Sequence, residues 1–357
     1  MRAWLARRRP PTRGLHILAA CTAAIVWCEG AAAARVVVDS AGRQVEIPDR
    51  IERVIAAGPP ASVLVYVLAP EKLIGWNRKP PPEELPFLSP SVRNLPEIGR
   101  LTGRGGTMSL EAVLALKPDL IVDFGSVAPT YVSLADRVQA QTGIPYVLLD
   151  GQFANTGTAL RLLGEMLGVG ERSERLARYA EETLGAADRA AASVPAERRP
   201  RVYLARGPRG LETARGGSLS AEIIERAGAV NVVDTGQEVG SLFNASLEQI
   251  LGWNPDTIVT LDRNFFDSVR TSDVWGQVGA VRRGRVFLSP SLPYGWIDSP
   301  PSLNRLIGLQ WMTRLLFPGV SSDSIRDVAR DFYRLFYQVE LSEAELDRLL
   351  VGATLER

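Results

Sequence analysis

The chain of 357 residues contains two cysteines and one histidine. All three, His16, Cys21 and Cys28, fall in the first 28 residues. If that stretch is removed, the remainder has no disulfide, no thiol nucleophile, no Ser-His-Asp triad and no histidine-based zinc site. A metal it touches directly must then be held by oxygen ligands such as Tyr, Asp or Glu, or arrive wrapped in a chelator. Catalytic motifs are lacking too: there is no GxSxG, HExxH or GxGxxG context. The loop GRLTGRGGT (99–107) has the glycine density of a phosphate-binding loop but no Lys after its last Gly. An enzyme is therefore disfavoured. A basic face is also missing. Residues 1–34 carry five arginines against one glutamate, which leaves the rest of a chain of net charge +1 at −3 and argues against a nucleic-acid partner.

What the first stretch does have is the grammar of an export signal. MRAWLARRRPPTRG is basic, LHILAACTAAIVW is apolar but short for a membrane span, and Ala32-Ala33-Ala34 offers a cleavage site before Arg35. Residues 1–34 are thus expected to be a cleavable signal peptide, with the mature protein in the periplasm. The alternative is Leu18-Ala19-Ala20-Cys21, which resembles a bacterial lipobox and would tether the chain through Cys21.

The body writes one phrase twice. MSLEAVLALKPDLIV (108–122) and ASLEQILGWNPDTIV (245–259) match at a constant offset of 137, including Ser109/Ser246, Glu111/Glu248, Pro118/Pro255 and Asp119/Asp256. Each copy reads as a Ser N-cap, a short helix with Glu in its first turn, a Pro-Asp stop and a buried strand. A single repeat at this distance predicts two similar lobes, and so a cleft.

Around these phrases, 35–50 predicts a hairpin turning at Ala41-Gly42. RVIAAG (53–58), a loop at 59–62, a helix at 63–70 and a strand KLIGW (72–76) predict a βαβ unit. A Pro-rich loop follows to residue 90, then helix 131–141 and strand 144–150. Residues 156–192 predict the longest helical stretch, with a break at Gly168-Val169-Gly170. RVYLARG (201–207) repeats the opening strand, 216–227 predicts a helix and RVFLSP (285–290) a strand. SLPYGWIDSPPS (291–302) reads as a rigid loop and 304–317 as an amphipathic helix, with two more at 323–337 and 342–352.

RVIAAG with its Pro/Ser loop, LPEIG (95–99), the two SLE…PD…IV phrases, GGSLSAEIIERAGAVNVV (216–233) and the central helix occur here in one order. In that order the chain resembles the substrate-binding proteins of ABC importers, in the class that carries ferric siderophores, haem and cobalamin. The resemblance covers nearly all of the mature chain. It implies an α/β fold of two Rossmann-like lobes with central parallel sheets, joined by one long linking helix. The N-terminal lobe would span 35–152, the linker 153–195 and the C-terminal lobe 196–357. It implies a permease dimer with its ATPase as partner at the inner membrane, no intrinsic cofactor, and a ferric siderophore, or else haem or cobalamin, as cargo. A tethered ligand sensor is the alternative outside transport. It also implies that Glu111 and Glu248 dock against the permease; otherwise each is simply an acid favouring a helix N-terminus. The helical linker implies slight lobe closure.

Ligands of open α/β sheets bind beyond the carboxyl ends of the strands. Applied strand by strand, that rule nominates Trp76, Arg78, Phe124, Arg206, Arg209, Arg263, Phe265, Tyr294 and Trp296 as ligand contacts. Aromatics would give flat faces to a large organic ligand, and arginines would pair with anionic oxygens. Trp76 and Trp296 read equally as packing aromatics, and Tyr294 as either a turn residue or an oxygen ligand to iron. Asp298 reads as cleft-lining or as a turn residue.

Overall fold

The computed structural model describes residues 34–103, 105–233, 242–319 and 321–354; the expected signal peptide, apart from its last residue Ala34, and its Cys21 lie outside them. From Ala34 onward the chain forms one compact unit. Strands β1 (Ala34–Val38) and β2 (Gln44–Pro48) pair antiparallel about a turn in which Gly42 takes φ 77°. Then come β3 (Val54–Ala56), α1 (Pro59–Leu68), α2 (Leu110–Leu116), β4 (Leu120–Gly125), α3 (Pro129–Thr142) and β5 (Tyr146–Asp150). Their strands make a parallel sheet in the order β3-β4-β5, with Val54 beside Leu120 and Ile121 beside Tyr146. Helices α4 (Thr156–Met166) and α5 (Gly170–Ala192) follow.

The second half holds β6 (Arg201–Ala205), β7 (Glu212–Ala214), α6 (Glu222–Arg226), β8 (Val230–Asn231) and β9 (Leu242–Asn244), then α7 (Leu247–Trp253), β10 (Thr257–Thr260), α8 (Arg263–Val269), α9 (Gly279–Arg282) and β11 (Val286–Leu288). Its parallel sheet runs β11-β10-β6-β8, with β7 and β9 as a separate antiparallel pair. Helices α10 (Arg305–Leu316), α11 (Ile325–Phe332) and α12 (Glu343–Leu350) close the chain. The expected α/β architecture with two parallel sheets is present.

The repeated phrase builds the same joint in both halves. Ser109 and Ser246 cap α2 and α7, accepting from the amides of Ala112 and Gln249. Each helix ends on a left-handed residue, Lys117 at φ 46° and Asn254 at φ 42°. The Asp of each Pro-Asp pair then grips the opening strand of its sheet. Asp119 accepts from the amides of Glu52 and Arg53 at 2.7 and 2.8 Å, and Asp256 from that of Arg201 at 3.0 Å. Arg53 in turn donates to the carbonyls of Leu116 and Lys117, and Arg201 to that of Trp253. These are carbonyls that a helix end leaves without partners of its own.

Four expectations need correction. Residues 59–62 are not a loop: Pro59 and Pro60 form the first turn of α1, where a missing N–H costs nothing. The strand expected at 72–76 is a single bridge from Leu73 to Val54, after which Trp76 leaves to pair with the chain around Glu97. The helix expected from residue 216 is confined to Glu222–Arg226. Helix α10 is buried on nearly every side, not amphipathic. The break after α4 falls where its glycines place it. Gly164 has a different purpose: a Cβ there would collide with Ser173, so it lets α5 cross α4 at close range.

The C-terminal segment returns to the first half. Tyr66 in α1 donates to the carbonyl of Tyr337 at 2.6 Å, and Arg172 in α5 bonds the carbonyls of both Val67 and Leu335. These bonds run through an aromatic core that includes Phe332 and Phe336, stacked at 4.3 Å.

Candidate functional site

The end of β4 and the segments that follow β3 and β5 lie against segments of the second half. Gly125, at the end of β4, faces Leu219, near enough that a Cβ would touch it at 3.9 Å. The amide of Phe153, just past β5, donates to Glu222 Oε1 at 2.9 Å, and Ser302 Oγ donates to the carbonyl of Pro60 at 2.8 Å. The place where ligands of such sheets bind is therefore bounded from both halves.

The wall from the first half is set by a buried polar cluster. Asn77 donates to the carbonyls of Ala56 and Gly99 and accepts from Ser62. Asp123 accepts from Thr102 Oγ1 and Tyr146 Oη, both at 3.2 Å, and from the amide of Phe124. Thr102 itself lies so close to Gly58 that a Cβ there would collide with it. Together these contacts pin the glycine-rich loop that starts at Gly99 across the end of β3. Asp123 is bonded only by neutral donors, and burial pushes its carboxyl above the ordinary value.

The wall from the second half is the loop 291–302, fastened along its length. Asn304 Nδ2 donates to the carbonyls of Gly295 and Pro300, Trp296 N to that of Pro290, and Tyr333 Oη to that of Leu292. Asp298 accepts from Arg206 Nη1 and from the amide of Ser299. Tyr294 sits in the middle of this loop, edge-on to Tyr337 at 5.7 Å. Its hydroxyl is buried and has no hydrogen-bond partner among the described residues. Burial, reinforced by Tyr66 and Glu84, pushes its pKa well above the ordinary value, so the phenol keeps its proton. Arg78, whose charge opposes that shift, also acts on it.

The nominated ligand contacts divide sharply. The four large aromatics belong to the core. Trp76 is 3% exposed and donates its indole N–H to Val92, and Phe124 is likewise 3% exposed. Phe265, at 2%, packs edge-on against Trp275, and Trp296, at 0%, donates to Tyr333 Oη. They offer almost no face to a ligand. Three arginines already hold acids: Arg78 bonds both oxygens of Glu84 at 2.8 and 3.0 Å, Arg206 pairs with Asp298 and Glu212, and Arg263 lies 3.6 Å from Asp267. Arg209 is exposed in the turn between β6 and β7. Glu111 and Glu248 are exposed in the first turns of α2 and α7. Hydrogen bonds from their own amides and from Ser109 and Ser246 hold both carboxyls below the ordinary value.

Sequence reasoning missed Arg305 and Glu222, which link the two walls, and it left Asp298 without a role. Arg305 did give a signal: it is a cation opening an otherwise apolar helix, RLIGLQWM. Among the described residues no group of three or more His, Cys, Asp or Glu is placed to hold a bare metal ion.

Two α/β halves, each with a parallel sheet, whose post-strand segments touch one another and carry a buried Tyr294 hydroxyl unpartnered among the described residues, fit a solute-binding protein. The chain belongs to the periplasmic binding protein family, whose model matches residues 90–292. It is 30% identical to an ABC transporter solute-binding protein from Sulfurospirillum deleyianum, with a TM-score of 0.82 over 89% of this chain and 99% of that one. It is 26% identical over 335 residues to the molybdate-binding protein MolA of Haemophilus influenzae, covering 86% of this chain and 92% of that protein. The MolA structure with molybdate bound superposes with a TM-score of 0.71 at 22% identity, covering 86% of this chain and 99% of that one. The protein is thus the periplasmic binding component of an ABC importer and not an enzyme.

Because Asp123 has a raised pKa when folded, the native state binds more protons than the unfolded chain between the ordinary carboxyl value, about 3.9, and the raised one. Its contribution is complete below that window and is lost as pH rises through it. Urea unfolding across a pH series should therefore show a stability decline above about pH 4 that is reduced in Asp123→Asn; superimposable pH profiles for the two proteins would refute the assignment.

Proposed function

We propose that the cleft captures a compact metal oxyanion of the molybdate type and delivers it to a permease dimer and its ATPase. The observation that carries this reading is the buried hydroxyl of Tyr294, a protonated donor without a partner on the loop that walls the site. A small tetrahedral anion is held by a few fixed donors in a dry cleft, where each counts for more than in water. The similarity to MolA over 92% of that protein's length supports the same cargo class. A ferric siderophore, haem or cobalamin would need broad flat faces, and four of the five aromatics nominated for that purpose, Trp76, Phe124, Phe265 and Trp296, are at most 3% exposed. In this reading 35–152 and 196–357 act as the gripping lobes and 153–195 as the linker. Of the nominated arginines Arg209 supplies positive potential, since Arg78, Arg206 and Arg263 are offset by their acids, and an iron ligand at Tyr294 is not required. Residues 1–34 export the chain, with attachment at Cys21 as the alternative. Glu111 and Glu248, capped alike and charged to low pH, are the docking contacts: two matching carboxylates suit a two-fold permease.

Two experiments test this. Calorimetric titration with molybdate, tungstate, a ferric hydroxamate siderophore, haemin and cobalamin should show heat only with the first two. Tyr294→Phe should weaken molybdate about tenfold, in keeping with the loss of one hydrogen bond to an anion. Binding of the siderophore alone would overturn the oxyanion reading. Separately, the double variant Glu111→Arg, Glu248→Arg should abolish uptake in cells while leaving affinity for the solute unchanged; weakened affinity would place these residues in the binding site instead.

A further inference from the structure

Arg305 is a cation in the wrong place for ordinary solubility. Its side chain is 2% exposed, in a helix whose next residues are Leu306, Ile307, Gly308 and Leu309. It reaches both halves of the molecule at once. From the first half it takes the carbonyl of Gly151, at the end of β5, with Nη2, and lays its guanidinium 4.2 Å over the ring of Phe153. From the second half it takes the carbonyl of Leu219 at 2.8 Å and Glu222 Oε2 at 2.9 Å with Nη1. Glu222 completes the circuit, because its other oxygen accepts from the amide of Phe153. The ion pair lies within the second half and holds two groups that grip the first: Arg305 takes Gly151 and Phe153, Glu222 takes the Phe153 amide, and Gly125 faces Leu219.

We infer that Arg305 and Glu222 are positioning residues that preset the width of the opening between the two sheet ends, and so select the solute by size before it arrives. The physical reason is the penalty for separation. Moving the halves apart takes Gly151 and Phe153 away from Arg305 and Glu222, leaving a buried charge with fewer acceptors and a buried amide with none. Burial already pulls the pKa of Arg305 below the ordinary arginine value, against the opposing charges of Glu222, Asp298 and Asp150, so the guanidinium has little solvent to fall back on. The bond from Ser302 to the carbonyl of Pro60 holds the same gap from a neighbouring point. A cleft held in this way accepts what fits the gap and does not mould itself around a larger guest. Arg305 touches no solute in this account; it acts through the segments it ties.

The size-selection half of the inference rests on the oxyanion reading; the tie itself does not, and the test separates them. Hydrogen–deuterium exchange is measured on the full chain without solute for wild type, Arg305→Lys and Glu222→Ala. The lysine keeps the charge but cannot bond both halves through a fork, and Glu222→Ala removes the acceptor for the Phe153 amide together with the ion pair. Amides at 151–153 and 219–222 should exchange at least tenfold faster in both variants, with the central strands β4 and β10 unchanged. The ratio of dissociation constants for molybdate and a ferric hydroxamate siderophore should shift at least tenfold toward the larger ligand. Unchanged exchange in the variants overturns the tie. Faster exchange with an unchanged ratio overturns the selection. If Arg305→Lys fails to fold, Glu222→Ala decides alone; if wild type binds neither probe, the oxyanion reading fails and exchange still decides whether the tie exists.

Discussion

A single buried guanidinium sets the geometry on which the site depends. Arg305 is bonded to a carbonyl from each half, stacked on an aromatic ring from one and paired with a carboxylate from the other. A charge this deep needs partners, and Nη1 and Nη2 find theirs on both sides, while the buried Nε has none among the described residues. The sheet ends therefore do not merely happen to face each other. Their spacing follows from the need to keep one charge and one amide satisfied, and everything lining the gap inherits that spacing.

Each half is made rigid by a simpler device, used twice. The Asp of each Pro-Asp pair holds the start of a strand, and the Arg that opens that strand holds the end of the preceding helix. Helix, strand and neighbouring strand are locked by hydrogen bonds between residues 52 to 67 apart in the chain, so the loops beyond the strands start from fixed points. The remaining variation is in those loops: a glycine-rich one pinned by Asn77 and Thr102, and a proline-rich one pinned by Asn304, Asp298 and Tyr333. A scaffold of this kind can change cargo by changing loops without disturbing either joint.

The capped helix and its Pro-Asp stop were legible in the sequence because they are local, whereas the grip of each Asp on a strand 55 to 67 residues away was not. The break between α4 and α5 was legible from its glycines. The site was only partly legible. Knowing that a residue lies at the end of a strand does not tell which way its side chain points, and Phe124 alternates inward with Leu120 and Val122 into the core. Trp76, Phe265 and Trp296 were likewise counted as ligand surfaces, while the structure uses them as packing. Arginines were read as free cations because their acids, such as Asp298 for Arg206, are 92 residues away in the chain. Arg305 was passed over for the same reason: its importance lies in Gly151 and Glu222, neither of which is near it in sequence.

What emerges is a binding protein whose two halves are tied across the ends of their strands, with the nominated large aromatics buried. The most direct check is a crystal structure of the protein grown with molybdate. The account predicts one anion between the carboxyl ends of the two sheets, within hydrogen-bond distance of Tyr294 Oη, with the Arg305–Glu222 pair intact. An anion bound elsewhere, or a bound form in which the halves have rotated and that pair is broken, would contradict it.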